Sequence, residues 1–255
     1  MLTEIPFGIF RNFSNIARGN ILSIYLNNNH ISQIHDGAFV GLENVSLNLY
    51  LYDNSLTSIS FAFTRFRGLK VLGIEGNPLA VSGINVDVIS QMFYNNAITT
   101  LSLSSYELLK QAMTYQQNTL VNLELYDMNE IRFDQGLFMK GQTSALKNME
   151  IKRCEFGDFS EILCNVDLEK FSVSWCKNVN DTTLQGCPQN KTTSLTIQNC
   201  PITEAFDPRA FYTAYDAPIT MGKHERCAQK PTKALAQSQY DNPHQSHSHS
   251  KKGRL

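Results

Sequence analysis

The side chains best suited to hold a metal ion lie near the C-terminus, where His244, His247 and His249 follow His224 and Cys227. Imidazole and thiolate groups are common zinc ligands, but a metal site needs its ligands in a fixed geometry. The segment around the three C-terminal histidines is rich in Ser, Gln, Pro and Lys and poor in aliphatic residues, so no core would hold them in place. We therefore expect a polar tail without a metal site.

The sequence also lacks motifs for catalysis. It contains no glycine loop that would cradle phosphate, no nucleophile elbow and no zinc-protease helix. The formal charge is −1, from 22 Lys and Arg against 23 Asp and Glu, so no overall field attracts nucleic acid or an anionic membrane. Polar residues interrupt every apolar stretch short of the roughly 20 residues that a membrane helix needs. We expect a protein that is not an enzyme, uses no cofactor and recognises its partner through a local surface.

A short apolar segment recurs along the chain. Three copies, at residues 21–31, 49–56 and 69–79, share the spacing Leu-x-Leu-x-x-Asn-x-Leu, with Ile at some Leu positions. Weaker copies follow, and the central apolar residues of all eight, here called the register residues, are Ile24, Leu49, Leu72, Leu101, Leu123, Met149, Phe171 and Leu195. The alternation is typical of a strand with one buried face, which a stack of copies can bury and a single copy cannot. The long step between the third and fourth copies indicates an insertion around Ser82 to Asn95.

This pattern resembles the leucine-rich repeat family over roughly residues 2–211. The resemblance implies an α/β solenoid, a horseshoe of about eight coils with a parallel β-sheet on its concave side. The early copies, with Ala38-Phe39 and Ala62-Phe63, are similar to Toll-like or Slit-like extracellular repeats. The later copies, which carry Cys, are similar to the repeats of F-box substrate receptors. Residues 212–255 lose the repeat, and we expect them to form an irregular, disordered low-complexity tail.

The position five residues after each register residue is expected to form a ladder between coils. An Asn there can bond backbone groups of neighbouring coils, and a small, buried Cys can replace it. The expected ladder consists of Asn29, Asn54, Asn77, Cys154, Cys176 and Cys200. Two other cysteines, Cys164 and Cys187, fall on adjacent coils of the convex side, at a separation that a disulfide accepts. A bonded pair and two reduced thiols both remain open.

Four Asn-x-Ser/Thr acceptors permit glycosylation, at Asn12, Asn44, Asn180 and Asn190. Chance supplies nearly as many in a chain this rich in Asn, Ser and Thr, so the acceptors do not decide the compartment. The first residues show no basic region followed by an apolar one, so no secretory signal is visible.

The side chains that flank the buried strand positions are expected to point into the horseshoe. Aromatic and arginine side chains most often anchor interfaces, and the predicted binding residues are Tyr25, Tyr50, Tyr52, Tyr126, Asp127, Lys152, Arg153 and Trp175. The same rule also exposes Glu75, Glu124, Glu150 and Lys170.

The resemblance implies recognition of a protein or glycoconjugate on this concave face by a secreted or receptor-type domain, and hence an extracellular location. The alternative is an intracellular adaptor that selects substrates for an F-box-type ubiquitin ligase. Leu2, Ile5, Phe10 and Phe13 belong to a partial first coil without a polar cap, which predicts self-association through that end.

Overall fold

The computed structural model describes residues 1–13, 19–79, 85–128, 137–138, 145–155, 162, 165–177, 192, 194–200 and 219–222. Within these residues, β1 (Glu4–Ile5) and β3 (Gln33–Ile34) form a small parallel sheet. Nine further strands form one parallel sheet: β2 (Ile21–Tyr25), β4 (Ser46–Tyr50), β5 (Leu69–Gly73), β6 (Thr100–Leu103), β7 (Asn122–Tyr126), β8 (Asn148–Lys152), β9 (Lys170–Ser174), β10 (Ser194–Gln198) and β11 (Ile219–Gly222). Each strand pairs with the next along the chain, as the coils of a solenoid require.

The register of this sheet is the one that the repeat predicts. Ile24 lies opposite Leu49, Leu49 opposite Leu72, and the pairing continues from one register residue to the next through Leu195. The leucine-rich repeat solenoid with a parallel sheet is therefore confirmed.

The sheet continues past residue 211, where the sequence analysis ended the repeats. Leu195 lies opposite Ile219 in β11, so this strand belongs to the solenoid rather than to an irregular tail. The copy was missed because it carries Ile219 and Met221 in place of two leucines, directly follows Pro218 and ends in Gly222. The remaining residues after position 211, including the histidines of the tail, lie outside the described residues.

The connections on the other side contain short helices. A 3₁₀ helix spans Phe61–Arg65, and α1 (Val86–Tyr94) and α2 (Tyr106–Tyr115) are α-helices. α1 occupies most of the predicted insertion and accounts for the long step between the third and fourth copies. Its first turn is capped by Asn85, whose side chain accepts hydrogen bonds from two backbone amides. α2 begins at Tyr106, one residue after Ser105, which caps it; this helix start replaces the ladder position of that coil.

The core lies between the sheet and these connections. Along β7, buried Leu123 and Leu125 alternate with partly exposed residues, as expected for a sheet with one covered face. On the convex side, the buried rings of Phe39, Phe63 and Phe66 fill the space between coils, and the centroids of Phe39 and Phe66 are 4.9 Å apart. Among the described residues, no helix is long and apolar enough to cross a membrane.

The N-terminal end of the stack exposes apolar side chains. Ile5 is buried and Phe10 and Phe13 are partly buried against the core. Leu2 is 50% exposed and Ile21, at the start of β2, is 65% exposed. Within the described residues β2 pairs only with β4, so its other edge is open.

Candidate binding surface on the concave face

We define the concave face as the side chains that lie one residue before, one residue after and three residues after each register residue. These positions point away from the core because successive strand residues alternate between the two faces of a sheet. Neighbouring strands place equivalent positions about 5 Å apart, so side chains of consecutive coils contact one another in rows.

The first part of this face is aromatic. Tyr25 of β2 and Tyr50 of β4 are paired in the sheet, and their rings stack in parallel with centroids 4.7 Å apart. Tyr25 remains 68% exposed, so the stack presents an aromatic surface to solvent. Tyr52, which was predicted as a binding residue together with Tyr50, follows β4 in the turn, because this strand ends at Tyr50. Burial, with the nearby Tyr25 and Glu124, raises the pKa of Tyr50, so its hydroxyl stays protonated and can donate.

The next coil presents glycine and a carboxylate. Gly73 of β5 occupies the position equivalent to Tyr50 and leaves a space beside that ring. A Cβ atom on Gly73 would be 3.5 Å from Glu75 Oε2 and from ring carbons of Tyr50 and Tyr52. These three side chains therefore converge above Gly73. Glu75 Oε2 is buried, and the described residues provide it with no hydrogen-bond partner.

A hydrogen-bonded network follows on β6 to β8. Ser102 Oγ and Tyr126 Oη both donate to Glu124 Oε2, each at 3.2 Å. Lys152 Nζ lies 3.0 Å from Glu150 Oε2 and 5.3 Å from the centroid of the Tyr126 ring. Burial and the charge of Glu124 raise the pKa of Tyr126, so this phenol is a donor to the carboxylate.

The carboxyl group of Glu75 is electrostatically disfavoured as an anion. Burial is the largest cause of its raised pKa, and the charges of Glu124 and Asp53 act in the same direction, whereas hydrogen bonding to Ser102 opposes them. The sequence rule placed Glu75 and Glu124 on this face but did not select them as binding residues, because their spacing gives no indication that the coils bring them together.

Three predicted binding residues lie at the rim of the face rather than on its strands. Asp127, Arg153 and Trp175 each follow the last residue of a strand and have positive φ angles of 51°, 54° and 59°. All three are exposed. Asp127 and Arg153 form a bidentate ion pair, with Arg153 Nε donating to Asp127 Oδ1 and Nη2 to Oδ2, both at 2.7 Å. This bonding raises the pKa of Arg153.

The positive φ angle recurs four residues after most register residues. The remaining members of this row are Asn28, Asp53, Gly76 and Asn199. Asn, Asp and Gly are the residues that most readily adopt this conformation, so their recurrence at one repeat position was a usable signal for a turn. It would have placed Trp175 and Arg153 in the turn as well.

The ladder position is filled by amides in the early coils. Asn54 Oδ1 accepts from the backbone amide of Ile31 at 3.0 Å, and its Nδ2 donates to the carbonyls of Leu26 and Leu51, both at 2.9 Å. Asn77 makes the equivalent bonds one coil later. Asn29 bonds Leu2, Leu26 and Asn27 at the first coil.

Thiols fill the same position in the later coils. Cys176 Sγ accepts from the amide of Cys154 at 3.4 Å, and Cys200 Sγ accepts from the amide of Cys176 at 3.3 Å. The hydrogen bond with Cys154, together with burial, raises the pKa of Cys176 to about 12, and the bond with Cys176 and burial raise the pKa of Cys200, whereas the bond with Cys176 lowers the pKa of Cys154. These three thiols are buried and free, so they serve as packing groups rather than nucleophiles.

Two buried amides outside the predicted ladder bind the helices to the sheet. Asn96 Oδ1 accepts from the amide of Leu69 at 2.9 Å, and Gln116 Oε1 accepts from the amide of Ile98 at 2.8 Å. Each of these two amides lies just after a helix. The only feature of the sequence that could have indicated their role is a polar residue shortly before an apolar strand.

Several predicted positions lie outside the described residues, namely Cys164, Cys187, Asn180 and Asn190. The acceptors Asn12 and Asn44 are exposed. The described part of the chain contains no group of three His, Cys, Asp or Glu side chains placed to hold a metal ion.

Comparison with known proteins agrees with the fold. The family model described as leucine rich repeat matches residues 20–79, and the search of curated proteins gave no match. Internalin C2 from Listeria monocytogenes is a similar solved structure, with 18% identity over 85% of this chain and 94% of that chain and a TM-score of 0.58. This likeness shows the fold alone. Residues 20–79 thus match the leucine-rich repeat family, and the register of the sheet shows that the same solenoid fold continues through the later coils.

Proposed function

We propose that the concave face recognises a protein ligand and that the chain acts as a secreted or receptor-type binding domain. The observation that carries this proposal is the stacked pair Tyr25 and Tyr50, whose ring centroids are 4.7 Å apart at one end of a continuous sheet surface, with Tyr25 68% exposed. Aromatic side chains that are already ordered lose little conformational entropy on binding, and they are frequent interface anchors. Leucine-rich repeat domains commonly serve in protein binding.

The extracellular location is part of the proposal. It is supported by the similarity of the early repeats to secreted and receptor ectodomains and by the exposure of the acceptors Asn12 and Asn44. The second candidate is an intracellular adaptor of the F-box type. The row of free, buried thiols at Cys154, Cys176 and Cys200 favours it, because reduced cysteines suit the cytosol.

Affinity purification with matched variants tests this function. The parent, Tyr25→Ala/Tyr50→Ala and Tyr94→Ala/Tyr115→Ala would each be used to capture partners from a secreted and from a cytosolic protein fraction. Tyr94 and Tyr115 are exposed tyrosines on α1 and α2, 78% and 41% accessible, so the second double variant removes the same chemistry from the convex side. We expect the concave variant to lose a secreted ligand and the convex variant to retain it.

Two outcomes would contradict the proposal. Equal capture by the parent and the concave variant would exclude the aromatic stack as an anchor. Specific capture only from the cytosolic fraction would favour the adaptor. The melting temperatures of both variants should stay close to that of the parent, since Tyr25, Tyr94 and Tyr115 are exposed and Tyr50 is only half-buried.

A further inference from the structure

We propose that the centre of the concave face binds a basic side chain, arginine or lysine, presented by the protein ligand. This centre consists of Tyr50, Tyr52, Gly73, Glu75 and Glu124, and we call it the acidic centre. The inference rests on the proposed function, because it assigns a chemistry to the ligand of the same face.

The carboxylates of the acidic centre are not neutralised within the described chain. Glu150 is paired with Lys152 at 3.0 Å, and Asp127 is paired with Arg153 at 2.7 Å. Glu75 and Glu124 have no cationic partner among the described residues, and the bonds that Glu124 accepts come from uncharged hydroxyl groups. The face therefore contains two carboxylates without a countercharge, on the coils of β5 and β7 with the coil of β6 between them, and they lie between the aromatic region and the ion pair of Asp127 with Arg153.

Glu75 also lacks part of its hydrogen bonding. Its Oε2 atom is buried without a partner beside the space left by Gly73, and leaving a buried acceptor unpaired is unfavourable. The rest of this side chain is only half-buried, so the carboxylate can reach a group that arrives from solvent. A guanidinium or ammonium group would supply both the missing donors and the missing positive charge.

The aromatic walls suit a cation as well. Lys152 Nζ and the Arg153 guanidinium carbon already lie 5.3 Å and 5.5 Å from the Tyr126 ring centroid, which is the range of a cation–π contact. Tyr50 and Tyr52 bring similar rings to the acidic centre. A ligand cation there would meet both rings and carboxylates, as Lys152 and Arg153 do at Tyr126.

The charge distribution distinguishes this ligand from a sugar. A neutral glycan could stack on tyrosine, but it would leave Glu75 and Glu124 without a countercharge. A sulfated, phosphorylated or sialylated glycan would be repelled by them. A basic peptide segment is therefore the partner that satisfies both the aromatic and the acidic groups.

Fluorescence anisotropy with defined peptides tests the inference on the full chain. The probes are a labelled peptide of alternating Gly and Arg, its Lys counterpart, and a counterpart in which citrulline replaces Arg with the same shape and no charge. We expect the Arg and Lys peptides to bind at low ionic strength and the citrulline peptide to bind at least about tenfold more weakly. Added salt should weaken the binding of the Arg and Lys peptides and leave the binding of the citrulline peptide little changed.

The matched variants are Glu75→Gln, Glu124→Gln and Asp87→Asn. Each removes one negative charge, but Asp87 lies exposed on α1, away from the sheet. We expect each glutamine variant to bind the Arg peptide at least about fivefold more weakly than the parent. Asp87→Asn should bind it with unchanged affinity. Melting curves establish that each variant is folded, and the two glutamate positions keep the test informative if one variant is not.

Failure of this inference can be separated from failure of the proposed function. Absence of binding by the Arg peptide, equal binding of the citrulline peptide, or equal weakening by all three variants would overturn the acidic centre as a cation site. If the concave tyrosine variant still loses a captured protein in that case, protein recognition by the face stands. If the Arg peptide does not bind and the concave tyrosine variant still captures the protein, both proposals are wrong. If the neutral glycan tetra-N-acetylchitotetraose displaces the Arg peptide equally well from the parent and from both glutamine variants, the centre binds a glycan and the inference is wrong.

Discussion

At the scale of single residues, the same repeat position performs the same task with different chemistry. Asn54 provides one acceptor and two donors to three backbone groups, whereas Cys176 has a single weak donor and a sulfur acceptor. A thiol makes fewer and weaker hydrogen bonds to the backbone of the turn, but it is small and readily buried. At this position, hydrogen bonds therefore stabilise the early coils, and packing contributes more to the later coils.

Replacing Asn54 by Ala should lower the free energy of unfolding by about 1–3 kcal/mol, because it strands buried backbone groups. Asn54→Cys should cost less, since the thiol reproduces some of the bonds seen at Cys176. Asn44→Ala, at an exposed asparagine, is the control and should be neutral. Chemical denaturation of the three variants measures this, and equal stability of Asn54→Ala and Asn44→Ala would contradict the ladder.

Glu75 should make stability depend on pH in a defined direction. Because burial raises its pKa in the folded state, the folded chain holds this proton more tightly than the unfolded chain, for which the ordinary value is 4.5. The penalty of the ionised carboxylate is thus present at neutral and higher pH and disappears as the pH falls toward that ordinary value.

The variant Glu75→Gln should therefore be more stable than the parent at pH 8, by up to about 1 kcal/mol for a half-buried group. Its advantage should shrink as the pH is lowered toward about 4.5. Denaturant titrations across this range measure the difference, with Asp87→Asn as the variant of equal charge. An advantage that grows on acidification would show that Glu75 is stabilised as an anion.

At the scale of elements, the spacing of β4 and β5 depends on a glycine that lacks a side chain. Gly68 precedes β5 and lies against the backbone carbonyl of Val45, in a position where a Cβ atom would overlap that oxygen. The carbonyl of Gly68 accepts from the amide of Leu47 at 2.9 Å, so the close approach is part of the connection between β4 and β5. Gly73, at the other end of β5, has only ordinary contacts around its Cβ position.

The two glycines of β5 therefore form a matched pair. Gly68→Ala should force the start of β5 away from β4 and lower stability by about 1–3 kcal/mol, the usual cost of overpacking. Gly73→Ala should leave the melting temperature nearly unchanged, because the added methyl group fits the space beside Tyr50 and Glu75. Thermal unfolding of both variants decides this, and an equal loss in the two would mean that backbone conformation rather than crowding requires glycine.

At the scale of the whole molecule, the sequence predicted the solenoid fold more completely than the arrangement of side chains on its concave face. Leu49 and Leu51 alternate strongly enough to set the strand and its register, and spacing between copies then orders the sheet. The strand at Ile219 was missed because its apolar signal is weak. Convergence of Glu75 with Tyr50 could not be predicted, since it depends on side-chain directions and on the space above Gly73 rather than on a repeated residue.

We expect the open edge of β2 to mediate self-association of the whole chain. Within the described residues β2 pairs on one side only, and Ile21 at its start is 65% exposed; Leu2 and Phe7, earlier in the chain, are 50% and 64% exposed. Unpaired strand edges with apolar side chains favour pairing with another chain, and a lysine there opposes it. Ile21→Lys should thus weaken self-association of this chain at least about tenfold, as measured by sedimentation equilibrium. Phe61→Lys changes a similarly exposed apolar residue, 56% accessible, in the 3₁₀ helix of the convex side, and it should leave association unchanged. A parent chain that is monomeric at high micromolar concentration, or equal effects of the two lysines, would show that the edge of β2 does not mediate association.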